Sequence, residues 1–123
     1  MNKQKNVFGE EITECGYEPI TGFYRDGTCH TEDNDIGVHT VCVRVTDQFL
    51  EYSKSQGNDL STPMEEFGFP GLLAGDQWCL CAQRWMQAYN DGFAPKVVLA
   101  ATNIKTLDIV PLEYLKEYAL DLL

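Results

Sequence analysis

The sequence predicts an α+β fold in one small domain, and three observations carry that expectation. Residues 39–46, "HTVCVRVT", alternate as a strand does; three other segments have the period and stops of helices; no βαβ repeat links them. The chain has 123 residues, 44% hydrophobic and 23% charged, which are globular values. A domain near this length buries roughly two-thirds of its unfolded surface and can fold without staples. The domain is expected to span 1–123, with 1–6 flexible.

Taken in order, "TGFYRDGTC" at 21–29 reads as a hairpin, Asp26-Gly27 supplying the positive φ of a tight turn. In 39–46, His39, Val41, Val43 and Val45 share one face and Thr40, Cys42 and Arg44 the other, so a half-buried strand is expected. Thr46 or Asp47 caps a helix over 47–56 that presents Phe49, Leu50 and Ser53, and Gly57 stops it. Residues 57–76 hold four glycines and two prolines without a sustained period, a loop of the length that binding sites use. A helix is expected over 80–90, stopped by Gly92 and Pro95. "KVVLAAT" at 96–102 reads as a buried strand and "TLDIV" at 106–110 as another. Pro111 opens a closing helix with Leu112, Leu115, Ala119 and Leu122 as its apolar stripe.

Chemistry concentrates in "GDQWCLCAQRW", 75–85. An extended Trp78–Cys81 segment turns Cys79 and Cys81 the same way, able to grip one soft metal together. A helical segment splits them by about 200°. The flanks favour the helix: Asp76 follows Gly75 as an N-cap, and Trp78, Cys81, Trp85 and Ala88 form a stripe. Cys81 then belongs to the core, while Cys79 near a helix start has a thiol whose pKa the dipole lowers. Cys79 is therefore the candidate nucleophile, with His39 its candidate base. No C-x-x-C pair exists, so no metal is favoured; a metal site, if present, would draw on Cys15, Cys29, Cys42, Cys79 and Cys81. Candidate ligand-binding residues are Arg25, Asp26, Asn58, Asp59, Ser61, Thr62, Trp78 and Arg84, with Cys42 a possible neighbour. Turn capping by Asn58, Asp59, Ser61 and Thr62, and surface pairing by Arg25 and Arg84, are the structural alternatives. His30 sits among acidic residues and reads as surface.

Nineteen acidic and nine basic residues give a net charge of −10, so a phosphate backbone or anionic membrane is repelled. The first residues carry no signal-like apolar run, and no stretch reaches the roughly 18 residues of a membrane span. A cytoplasmic protein with reduced thiols is expected.

The segments "GNDLSTP", "WCLCA" and "TGFYRDGTC" resemble the bacterial family called domain of unknown function 2237, the likeness running from Asn6 to about Ala119. Two positions depart from its pattern: Thr28 stands where the family usually has a second cysteine, and His30 where it has asparagine. The resemblance implies a stand-alone soluble α+β domain, and the family it points to has no established activity. The sequence reading favours a small-molecule or protein binding module, with the 57–76 loop beside Cys79. The alternatives are a small thiol-dependent enzyme or redox protein using Cys79, and a Cys/His metal-binding protein. Cofactor, ligand and oligomeric state are left open.

Overall fold

The alternating segment becomes β1, His39–Arg44, the middle strand of an antiparallel three-stranded sheet in a computed structural model whose described residues are 4–122. Thr40, Val41, Cys42 and Val43 are all fully buried, so both faces of β1 are covered where the alternation suggested one. Val41 and Val43 enter the main core with Phe49, Trp85 and Leu115. Cys42 enters a second, smaller core of Ile12, Cys15, Cys29, Cys79 and Ala101. The N-terminal third covers that second face. It is tied there by backbone bonds from Val7 N to Thr102 O (3.1 Å) and from Thr13 N to Ala100 O (3.0 Å).

The edge strand β2, Gln77–Cys81, pairs with β1 in the register Val43↔Trp78, Cys42↔Cys79, Val41↔Leu80 and His39↔Cys81, with an irregularity between His39 and Val41. This corrects the helix expected to begin at 80. Asp76 does not cap a helix; its Oδ2 accepts from Leu73 N at 2.9 Å and closes a turn. Strand pairing with β1 bonds one edge of the 77–81 backbone, and Trp78 and Leu80 are both buried, which one helix stripe could not achieve. The helix α2 therefore starts later, at Ala82–Asp91, and its buried stripe is Ala82, Trp85 and Ala88. Trp78 and Cys81 lie outside it. Gly92, at φ 83°, ends the helix as expected.

The other elements follow local chemistry to different degrees. In α1, Asp47–Ser55, Thr46 Oγ1 accepts from Phe49 N at 3.1 Å, and Phe49, Leu50 and Ser53 are buried as expected. The third strand, β3, is only Lys96–Val97, after which the chain turns into a 3₁₀ segment, Leu99–Ala101. The expected strand at 106–110 does not form; its first three residues end a 3₁₀ segment, Ile104–Asp108. Asn103 Oδ1 caps it through Lys105 N (2.9 Å), and Thr106 Oγ1 donates inward to Thr40 Oγ1 (2.7 Å). The closing helix α3, Leu112–Glu117, follows Pro111 and buries Leu115, while Leu122 of the expected stripe is exposed.

Residues 21–29 form successive turns rather than a hairpin: Arg25 N donates to Gly22 O and Gly27 N to Thr21 O, both at 3.0 Å. Of the stretch expected to be flexible, 1–3 lie outside the described residues. Asn6 is 1% exposed and donates to Ala100 O at 3.0 Å. Among the described residues no buried side-chain nitrogen or oxygen lacks a partner, and no helix is long and apolar enough to cross a membrane.

Candidate functional site

Four of the five cysteines are joined in disulfides, Cys15–Cys42 and Cys29–Cys79, which corrects the expectation of reduced thiols. Cys79 is 2% exposed, lies within a strand and is bonded to Cys29. It has neither the helix terminus nor the free thiol that nucleophilic chemistry requires. The free cysteine is Cys81, half-buried at the end of β2.

Cys81 opens onto a cleft of about 420 Å³ that runs along β2. One wall is the strand itself, Trp78 to Cys81 in succession. Phe23 and Arg25 arrive from the N-terminal turns, His39 from β1, Asn58 and Leu60 from the long loop, and Arg84 from α2. Of the sequence-derived candidates, Arg25, His39, Asn58, Trp78, Cys79 and Arg84 thus meet at one place. Other hollows, of about 520 Å³ and about 670 Å³, carry Glu32, Asp33, Asp35 and Asp108 or Glu51 and Asp91 on their walls.

Each cleft side chain is held differently. Arg25 takes a left-handed backbone (φ 55°), a conformation that costs a non-glycine residue about 1 kcal/mol or more. Its Nη1 donates to Gly22 O at 2.6 Å, and its guanidinium lies 4.9 Å from the centroid of the Trp78 ring. Arg84 Nη1 donates to Gln56 O (3.1 Å) and Gln87 Oε1 (3.4 Å). Neither arginine makes an ion pair with a carboxylate among the described residues.

His39 is oriented by Asp35. The His39 ring stacks on Phe23 at 5.5 Å, and its Nδ1 lies 2.6 Å from Asp35 Oδ1. Asp35 is 3% exposed, and its other oxygen accepts from His39 N (2.9 Å) and Thr31 Oγ1 (3.0 Å). With Nδ1 engaged, Nε2 is the nitrogen left for other chemistry. Val38, between the two, also has a positive φ of 50°, which a β-branched residue adopts only when its surroundings impose it.

Asp26, Asp59, Ser61 and Thr62 lie elsewhere. Asp26 accepts from Thr28 N (3.1 Å) and sits 2.8 Å from His30 Nδ1. Asp59 binds its own loop, accepting from Ser61 N, Ser61 Oγ, Thr62 N and Thr62 Oγ1. Those donors, the Thr62 hydroxyl foremost, lower its pKa to about 2. Asp59, Ser61 and Thr62 do the capping that "GNDLSTP" also allowed. Cys42 lies in the disulfide cluster, not in the cleft.

Sequence reasoning missed Asp35, Phe23, Leu60 and the cleft position of Cys81. A signal for Asp35 existed in "DIGVH": a carboxylate four residues before a histidine, with Gly37 between them. A Cβ at Gly37 would stand 2.6 Å from His39 Cε1, so the small residue makes room for the ring.

No curated protein matches the chain. Its sequence does fit one family pattern over residues 5–119, which includes every cleft residue and all five cysteines. The chain belongs to the family described as an uncharacterized protein conserved in bacteria (DUF2237).

Proposed function

We propose that the cleft along β2 binds a small molecule with an anionic head and an apolar body. The observation that carries this reading is the pair Arg25 and Arg84. In a chain of net charge −10, two guanidiniums open onto one cleft without a carboxylate partner among the described residues. Arginine presents a planar fork of donors suited to carboxylate or phosphate. Trp78, Phe23, Leu60 and Leu80 supply apolar walls, and Asn58 an amide.

Titration with benzoate, phenyl phosphate and benzyl alcohol, followed by Trp78 and Cys81 resonances, tests this. The two anions should shift those signals and the alcohol should not, with affinity falling at least tenfold in both Arg25→Gln and Arg84→Gln. Equal response to all three compounds, or anion binding untouched by both substitutions, would sink it.

A second reading is supported by Cys81. It is a free thiol in the cleft, the cross-strand partner of His39, whose Nδ1 is held by buried Asp35. A thiol, an imidazole and a carboxylate in that order are the parts of cysteine nucleophilic chemistry. Native alkylation by iodoacetamide should label Cys81 alone and slow several-fold in His39→Ala. A rate unchanged by that substitution removes His39 from the chemistry.

A further inference from the structure

We propose that the four cysteines now joined in disulfides form, when reduced, a buried tetrathiolate site for one zinc ion. The sulfurs of Cys15, Cys29 and Cys79 lie within 4.8 Å of one another, and Cys42 is bonded to the first of them. A tetrahedral zinc site with Zn–S of about 2.3 Å requires sulfur–sulfur edges of roughly 3.8 Å. The Cys15 sulfur lies within 4.8 Å of those of Cys29 and Cys79, a range that includes this edge. The Cα atoms already stand 5.7 Å and 5.3 Å apart within the two pairs, and Cys42 and Cys79 face each other across the sheet.

The surroundings suit a closed structural site. All four cysteines are at most 3% exposed, and Ile12, Val98 and Ala101 pack against them. Gln77 Nε2 lies 3.8 Å from Cys42 Sγ, a donor placed to stabilise thiolate charge from outside the ligand set. The ligands come from two N-terminal loops and from the centres of β1 and β2, so one ion joins the N-terminal third to the sheet as the disulfides do. Cys81 is outside the set.

The exchange balances as follows. Each disulfide takes two electrons and two protons from an external dithiol, which closes to its own disulfide. The four thiols formed then release four protons as Zn²⁺ binds, leaving a complex of net charge −2. Oxidation by a disulfide reverses both steps and expels the ion. The pair of disulfides and the zinc complex are thus alternative locks on the same four residues.

Oxidised protein, protein reduced anaerobically with dithiothreitol and desalted, and reduced Cys81→Ser and Cys42→Ser variants are each titrated with Co²⁺. Reduced wild type and Cys81→Ser should take up one equivalent with the visible bands of tetrahedral cobalt–thiolate, bleached by Zn²⁺. Oxidised protein should show none, and Cys42→Ser should lose the four-thiolate spectrum. Near-UV circular dichroism of the reduced wild type should sharpen on adding Zn²⁺, a readout that does not depend on Cys42→Ser folding. Absence of the bands in reduced wild type at excess Co²⁺, or their loss in Cys81→Ser, would overturn the proposal.

Discussion

Replacing Cys29 and Cys79 together by alanine should destabilise the oxidised protein by about 4 kcal/mol. The pair closes a loop of sequence separation 50, and the chain-entropy treatment of such a cross-link gives about 4 kcal/mol at 25 °C. The Cys15–Cys42 link, of separation 27, gives about 3.5 kcal/mol alone. Because the two loops overlap, removing both should cost less than the sum. Alanine is preferred to serine because both sites are buried and a hydroxyl there would need a partner. With a urea m-value of about 2 kcal/mol/M, 4 kcal/mol lowers the unfolding midpoint by about 2 M. The m-value itself should rise, since the unlinked unfolded chain exposes more surface. The assay is urea unfolding followed by Trp fluorescence, in EDTA and without reductant. Matching midpoints and m-values for wild type and variant would refute the cross-link and the covering of β1's second face that rests on it.

Arg25→Gly should leave stability within about 1 kcal/mol of wild type, because relief of the left-handed strain offsets the lost contact with Trp78. Anion binding should nevertheless fall, and a loss of several kcal/mol in thermal unfolding would show the side chain to be structural. Gly37→Ala places a methyl 2.6 Å from Cε1 of the His39 ring, which also stacks on Phe23, and should destabilise by about 1–3 kcal/mol. It should also shift the imidazole resonances, and an unmoved His39 spectrum would contradict the close packing. The depressed pKa of Asp59 means that its turn is fully supported above the ordinary value of 3.8 and loosens as pH falls through about 2. The amide signals of Ser61 and Thr62 should titrate near that lower value; a midpoint at 3.8 would show that the hydroxyl contacts do not persist in solution.

Where one local interaction decides an element, the sequence was readable. Thr46 as cap, Gly57 and Gly92 as stops, and the opposed faces of 39–46 each depend on neighbours within a few residues. The β2 strand was misread for a physical reason. Its helix signals, Asp76 after Gly75 and the spacing of Trp78, Cys81 and Trp85, were outweighed by pairing with β1 more than thirty residues earlier. The segment 106–110 failed likewise, because Asn103 capped a 3₁₀ turn and Thr106 bonded to Thr40 across the interior.

By itself the sequence determined the α+β class, the acidic character, the central strand and its first helix, and the residue types able to meet an anion. Those properties reside in composition and in contacts between close neighbours. Tertiary structure alone decided that Cys79 is locked to Cys29, that Cys81 keeps its thiol, and that Asp35 orients His39 beside two arginines. Each of those outcomes depends on the direction a side chain takes after distant segments pair, and no local period encodes that direction.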